Sequence, residues 1–292
     1  MKVALIGGNS FIANAIYKSA CFETSNVCCC ARSNPYLYPD FKYFDYPNTD
    51  ISFLLGFDLI VNCLGVGVQS NRPVTGAETY KVNTFFPIEL IEYLSENNFN
   101  GSLITFGSYF EIGDNEQDVG FTEIAIQNST NPVPNDYCVS KRLLTKYISS
   151  KQLPFVSYHL ILPSVYGVGE SLNRIIPYTI NSILNGEKLE FSTGEQVRQF
   201  LHVNDLVDAI RTLVIKNAPS GIYNVAGCDA ISIKELIQCI GSVLNYDIQE
   251  QYFGRKLTRD TSLKKLKLYG DKLYSLGFFP KIDIRVGILG YL

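Results

Sequence analysis

Met1-Lys2-Val3-Ala4-Leu5-Ile6-Gly7-Gly8-Asn9-Ser10-Phe11-Ile12-Ala13 opens the chain, and its reading decides the architecture. The apolar run after Lys2 reads as a short strand over residues 2–7, covered on both faces. Gly7-Gly8 turns the chain, and Ser10 supplies the side-chain oxygen that a helix start needs. Ile12, Ala15, Ile16 and Ala20 then share one face of a helix expected over residues 10–20. A strand that turns through glycine into a helix is the opening unit of a dinucleotide-binding sheet. The backbone must approach a pyrophosphate there without a Cβ in the way, and the amides of the first helical turn hold the anion. Gly7, Ser10 and Ala13 fall on a GxxGxxG spacing, with two glycines replaced. Ser10 can cap the helix or bond a phosphate oxygen, and Ala13 is nearly as small as the glycine it replaces. An ordinary strand-to-helix turn is the plainer reading of this motif alone.

Outward from that turn, strand-like and helix-like segments alternate through the first two-thirds of the chain. Strands are expected over residues 27–31, 42–45, 58–65, 102–107 and 155–162. Helices are expected over residues 79–97, with a kink at Pro87, and over residues 136–150. This predicts an α/β fold, a Rossmann-type doubly wound parallel sheet with a smaller mixed α/β substrate-binding domain. After Pro163 the segments shorten and Gly and Pro become frequent. The expected division is a dinucleotide-binding domain over residues 1–164, with 196–226 returning to it. Residues 165–195 and 227–292 would form the second domain.

Composition sets the outer bounds. The 292 residues are 46% apolar and 18% charged, ordinary for a globular protein, and a formal net charge of −3 leaves no basic footprint for nucleic acid. No apolar run reaches membrane-spanning length, and the first strand is too short for a signal peptide, so a cytoplasmic location with no membrane partner is expected. The 8 cysteines include three in succession, Cys28, Cys29 and Cys30, whose side chains must alternate between sheet faces. With no CxxC pair and only two histidines, they read as buried thiols rather than a metal or redox site.

Tyr137-Cys138-Val139-Ser140-Lys141 carries the chemistry. A Tyr and a Lys one helical turn apart share a face, which lets an ammonium sit beside a phenol and make it a usable acid. Tyr38/Lys42 and Tyr147/Lys151 have the same spacing. The first runs through Pro39, and the second lies late in its helix with no hydroxyl to join it. Tyr137 alone follows a strand that ends in a hydroxyl, Leu103-Ile104-Thr105-Phe106-Gly107-Ser108. At the end of the second strand, Cys30-Ala31-Arg32-Ser33-Asn34 places Arg32 where an acidic residue would select NAD(H), which favours NADP(H). Arg32 can otherwise be a solvated surface cation. Asn62-Cys63-Leu64-Gly65 supplies a small turn where the chain can pass the cofactor, with Asn83 on the facing helix.

Together, these residues resemble the extended short-chain dehydrogenase/reductases that act on nucleotide-linked sugars. The resemblance rests on the glycine turn, Ser108, Tyr137-x-x-x-Lys141, Leu162-Pro163-Ser164-Val165-Tyr166-Gly167-Val168-Gly169 and Arg198-Gln199-Phe200-Leu201-His202-Val203-Asn204-Asp205, in order and spacing. Within the family, residues 192–198 and 253–260 most resemble CDP-abequose and CDP-paratose synthases. The resemblance implies Tyr137 as proton donor, Lys141 as its tuner and ligand of the nicotinamide ribose, and Ser108 as hydrogen-bond donor to the carbonyl oxygen. It implies a cofactor site of Gly7, Asn9, Ser10, Phe11, Ile12, Arg32, Cys63, Leu64, Gly65, Asn83 and Pro163 beside Tyr137 and Lys141. Ser108, Tyr109, Tyr166, Arg198 and Arg259 would meet the nucleotide sugar, the two arginines at its pyrophosphate.

The implied reaction is NADPH-dependent reduction of the 4-keto group of a CDP-, dTDP- or GDP-linked deoxy sugar, toward a deoxyhexose of a surface polysaccharide. A 4,6-dehydratase would carry an Asp-Glu pair after the hydroxyl residue, whereas Ser108 is followed by Tyr109-Phe110 with Glu111 displaced. A 4-epimerase with tightly bound NAD, or a non-catalytic NADP-binding regulator, remains the alternative. His202 reads as structural. A homodimer through a four-helix bundle, built on the helices over residues 79–97 and 136–150, is expected, and no metal.

Overall fold

The computed structural model of the chain describes residues 1–67, 73–115, 119–256 and 263–292. Strands β1 (Val3–Ile6), β2 (Val27–Ala31), β3 (Phe41–Tyr43), β4 (Leu59–Asn62), β5 (Ser102–Ser108) and β6 (Val156–Leu162) belong to one sheet, with α1 (Phe11–Lys18) joining the first two. A later strand, Gly221–Asn224, completes seven strands among the described residues, all parallel, in the order β3-β2-β1-β4-β5-β6 and then that strand. The order reverses between β1 and β4. In such sheets the crevice at the carboxyl ends of the strands flanking the reversal receives the ligand. The Rossmann-type expectation is met.

Apolar runs form these strands because both faces are covered. Leu5, Cys29, Val61 and Ile104 face one core layer, while Ala4, Ile6, Cys28, Cys30 and Ile60 face the other. The three successive cysteines therefore alternate as expected, and Cys28 Sγ and Cys30 Sγ lie 3.9 Å apart on one face.

The helix expected over residues 79–97 is three pieces. These are α2 (Gly76–Tyr80), a π-helical turn (Lys81–Phe85) and α3 (Phe86–Glu96). Pro87 stands in the first turn of α3, where its missing N–H costs nothing. The break thus falls before the proline and widens the turn that carries Asn83, which is turned inward and buried. Then follow α4 (Glu123–Asn128) and α5 (Asp136–Ser149), the latter started by Asn135, whose Oδ1 accepts from Cys138 N at 3.0 Å.

Beyond β6 come β7 (Ser164–Tyr166), α6 (Ile175–Leu184), β8 (Val197–His202), α7 (Val203–Ile215), β9 (Gly221–Asn224), β10 (Asp229–Ser232) and α8 (Ile233–Val243). Next are β11 (Lys265–Leu266), α9 (Asp271–Ser275) and α10 (Ile284–Leu289). Of the stretch 196–226 expected to return to the main sheet, α7 and β9 do so, with β9 pairing β6. β8 does not. It pairs with β7 and β11 in parallel and with β10 antiparallel, in a second sheet. Its buried polar residue Gln199 is satisfied there: its side chain donates to Gly227 O and accepts from Leu268 N at 2.9 Å. No helix of the described residues is long and apolar enough to cross a membrane.

Candidate active site

The crevice at the sheet's reversal is a cavity of about 490 Å³. Gly7, Asn9, Ser10, Arg32, Cys63, Leu64 and Gly65, all expected at a cofactor, line it. Gly7 has φ +79°, and a Cβ there would stand 3.0 Å from Cys63 C and Leu64 N, so only glycine keeps this turn close to β4. Ser10 caps α1, accepting from Ala13 N at 3.2 Å. Asn9 Nδ2 donates to Ser33 O and Oγ, at 2.9 and 3.1 Å, and its Oδ1 is buried with no partner among the described residues. A glycine cradle and a helix start fit the phosphate end of a dinucleotide, while the Asn9 acceptor suits a donor such as a ribose hydroxyl. The reading of the residues missed Phe44, Asp45, Tyr46 and Lys81, which also line the cavity. Asp45 follows β3, where no glycine or motif announces it, and it places a carboxylate on the same cavity as Arg32.

Four expected cofactor residues sit differently. Asn83 clamps the passing loop rather than facing the cavity. Its Oδ1 accepts from Val66 N at 3.0 Å, and its Nδ2 donates to Val66 O at 2.9 Å and Ser140 Oγ at 3.1 Å. The ring of Phe11 packs toward Gly167 and Gly169. Pro163 is buried between β6 and β7. Ile12 is partly buried against the core, so only the backbone amides of this first turn remain for an anion.

Ser108, Tyr137 and Lys141 are brought together. Ser108 ends β5 and its side chain hydrogen-bonds Tyr137, which lies in the first turn of α5. Gly67, next to the cavity wall, passes so close that a Cβ on it would stand 3.5 Å from the Tyr137 Cβ. Lys141 is buried, and its Nζ donates to Phe106 O at 2.8 Å. Burial pushes the Tyr137 phenol up, against the pull of the Ser108 hydrogen bond and of the Arg174 cation. Burial also brings the Lys141 ammonium down to about 8, against an opposing pull from Glu111.

Glu111, set aside as displaced, lies beneath this group and is fully buried. It closes a capping box with Ser108: its Oε1 accepts from Ser108 N at 2.6 Å. Burial raises its carboxyl to about 7, with Thr145, the Ser108 amide and the Lys141 and Arg142 cations pulling the other way.

A second cavity, of about 470 Å³, lies beside the second sheet and is lined by Phe110, Tyr166, Arg174, Tyr178, Phe191 and Arg198, among others. Tyr109, expected against the sugar, is fully buried, with its hydroxyl 2.8 Å from Ser164 Oγ; Phe110 takes the cavity wall instead. Tyr166 borders the cavity with its ring, but its hydroxyl is spent on Asp283 O at 3.0 Å. The Arg198 guanidinium lies 5.9 Å from the Phe110 ring centroid and donates to Val197 O at 2.8 Å. Arg259 lies outside the described residues. Arg174 was not anticipated; its Nε pairs with Glu170 Oε2 at 2.9 Å, and Glu170 also accepts from the Tyr291 hydroxyl. His202 caps α7, accepting from Asn204 N at 3.2 Å, which fits a structural histidine. Tyr38 and Tyr147, of the two discarded pairs, hydrogen-bond Gly8 O and Glu92.

The model of the NAD dependent epimerase/dehydratase family matches residues 3–226. The bovine (Bos taurus) dTDP-D-glucose 4,6-dehydratase is 26% identical over 247 residues, 82% of this chain and 62% of the bovine protein. CDP-abequose synthase of Salmonella muenchen is 25% identical over 227 residues, 75% of this chain and 71% of that protein. The chain thus spans 62–63% of the length of the mammalian dehydratases it matches. The crystal structure of UDP-glucuronic acid 4-epimerase from Bacillus cereus, in complex with UDP-glucuronic acid and NAD, superposes with a TM-score of 0.82. It is 17% identical, and the match covers 99% of this chain and 97% of that one, a likeness of fold.

Proposed function

The chain belongs to the NAD dependent epimerase/dehydratase family, and on that premise we propose that it reduces the 4-keto group of a nucleotide-linked deoxy sugar with NADPH, in the making of a surface-polysaccharide deoxyhexose. The observation that carries this reading is the Ser108–Tyr137 hydrogen bond with Lys141 one turn further along α5, in a chain that also has a cleft at the sheet's reversal and a second cavity bearing Arg174 and Arg198.

Bound in the first cavity, the reduced nicotinamide would supply hydride to the carbonyl carbon. Ser108 holds the carbonyl oxygen, and Tyr137 hands its proton to that oxygen as negative charge gathers there. Lys141 would hold the nicotinamide ribose, and its cation would help draw down a tyrosine that burial alone holds too high. Arg198 and Arg174 offer guanidinium groups to the substrate pyrophosphate, a role for which Arg259 remains a further candidate. Arg32 supports NADP(H) by offering a cation to the 2′-phosphate. Among the relatives, the CDP-abequose synthases have a name that fits this reading.

One observation favours a second reading. Asp45 on the same cavity offers an acceptor to a ribose, as NAD requires, and a solved neighbour of this fold is a 4-epimerase with NAD. A dehydratase is less well supported, because Glu111 is committed inward to the Ser108 amide and Thr145. The deciding assay is NADPH consumption with a panel of nucleotide-linked 4-keto-6-deoxy sugars, with NMR of the product. Tyr137→Phe is expected to abolish turnover while leaving NADPH binding intact. Interconversion of 4-epimers without net NADPH consumption would transfer the assignment to the epimerase. Cellular function unchanged in the variant would point to a non-catalytic regulator.

We also propose a homodimer through α3 and α5, which pack side by side and expose Phe85 at the start of one and Leu143 on the other.

A further inference from the structure

Beneath Ser108 and Lys141 runs a buried chain of polar side chains contributed by β5, the turn that follows it, α5 and β6. Thr105 Oγ1 lies 2.7 Å from His159 Nδ1, and His159 Nε2 lies 2.9 Å from Thr145 Oγ1. Thr145 Oγ1 lies 2.5 Å from Glu111 Oε2, and Glu111 Oε1 accepts from Ser108 N at 2.6 Å. Thr105, Glu111 and His159 are wholly buried, and Thr145 nearly so. Thr145 stands one helical turn after Lys141 on the same face of α5.

The fold makes room for this chain at Gly107. A Cβ there would stand 2.7 Å from both Glu111 Oε1 and His159 Nε2, and 2.5 Å from Ile161 Cδ1. No other residue fits between Phe106, whose carbonyl takes the Lys141 ammonium, and Ser108. The slot and the chain lie against the two groups assigned to catalysis.

We propose that Glu111 is a positioning residue, which fixes Ser108 through its backbone and serves as the buried counter-charge of Lys141, with Thr145, His159 and Thr105 as its hydrogen-bonded support. This rests on the reading of Ser108, Tyr137 and Lys141 as the catalytic group. With the carboxylate ionised, every bond has one direction: Thr105 donates to His159 Nδ1, His159 Nε2–H to Thr145, and Thr145 to Glu111 Oε2. With one proton gained, the order reverses. Glu111 donates to Thr145, Thr145 to His159 Nε2, and His159 Nδ1–H to Thr105, the imidazole staying neutral by changing tautomer. Ser108 N–H donates to Oε1 in both states. The chain therefore stays satisfied while its charge changes, and Lys141 feels the difference. The other charged and titratable groups facing Glu111 are Arg142 and Tyr137 on α5 and His159 on β6. Arg142 also donates through Nε to Glu111 O at 2.8 Å and through Nη1 to Asn131 O at 2.7 Å.

Glu111→Gln separates charge from shape, because an amide can still accept from Ser108 N–H and donate to Thr145. Lysine labelled with ¹³C at Cε reports the Lys141 titration directly, its signal assigned by loss in Lys141→Arg. The expected result is a Lys141 midpoint lower by about one pH unit or more in Glu111→Gln, since an anion within reach is lost. An unchanged midpoint in the folded variant overturns the proposal. Should that variant not fold, the wild-type protein decides. The Ser108 amide proton is expected to shift with the Glu111 titration as pH rises from about 5 to about 9. A flat Ser108 signal overturns the proposal. Neither readout uses a sugar substrate, so failure here is distinct from failure of the reductase reading.

Discussion

At the scale of the residue, the proposed cofactor preference rests on Arg32 and Asp45, which line one cavity. Removing the cation and adding a carboxylate should strip the site of its 2′-phosphate partner. Arg32→Glu is expected to weaken NADPH binding by about tenfold or more and to leave NADH binding equal or better, measured by nicotinamide fluorescence titration. Equal loss for both cofactors would mean that Arg32 meets a group the two share rather than the 2′-phosphate. Arg32 was legible in the sequence because strand ends in this fold have a fixed duty. Asp45 was not, since nothing in Phe44-Asp45-Tyr46 says that β3 ends beside the same cleft. Glu111 was hidden for a like reason. Its meaning depends on Thr145 and His159, brought from other elements 34 and 48 residues further along the chain. Tyr109 and Phe110 show the reverse error: two adjacent aromatic residues differ by which side of a short turn each occupies.

At the scale of the element, β5, α5 and β6 enclose two ionisable groups with opposite effects on stability. Glu111 sits at about 7 against an ordinary 4.5, so between those values the folded chain keeps a proton that the unfolded chain has lost. Its contribution therefore falls as pH rises from 4.5 to 7. His159 is brought to about 3 from 6.5 by burial, so the unfolded chain takes up a proton first as pH falls through that window. Its contribution falls toward acid, and the two slopes oppose each other where they overlap. Glu111→Gln removes one of them. The stability of that variant relative to wild type is expected to climb between pH 4.5 and 7, by as much as about 3 kcal/mol, read from denaturant midpoints. Parallel pH profiles for the two proteins would count against the buried titration. Elements were otherwise the most legible level, because apolar runs and caps are local. Residues 27–31 and 136–149 form where the pattern put them. The exception is the π-helical turn at Lys81–Phe85. It satisfies a packing need, turning Asn83 toward Val66 and Ser140, that the helical periodicity does not encode.

At the scale of the whole molecule, the main sheet followed from alternation and short connections, but the membership of β8 did not. A strand with an alternating or apolar pattern pairs with either sheet, and only the buried polar contacts of Gln199 distinguish them. The same limit applies to assembly. Exposed Phe85 and Leu143 favour self-association through α3 and α5, and light scattering at micromolar protein is expected to give twice the chain mass. A monomer there, or a dimer that survives Leu143→Glu, would move the interface elsewhere. The slot at Gly107 bears on how such a chain can diverge. Its vacancy is shared by a carboxylate from the following turn and an imidazole from the neighbouring strand, so none of the three positions can drift alone. A methyl group gained at 107 would press at once on the glutamate, the histidine and Ile161, so changes at these positions should be inherited or exchanged together.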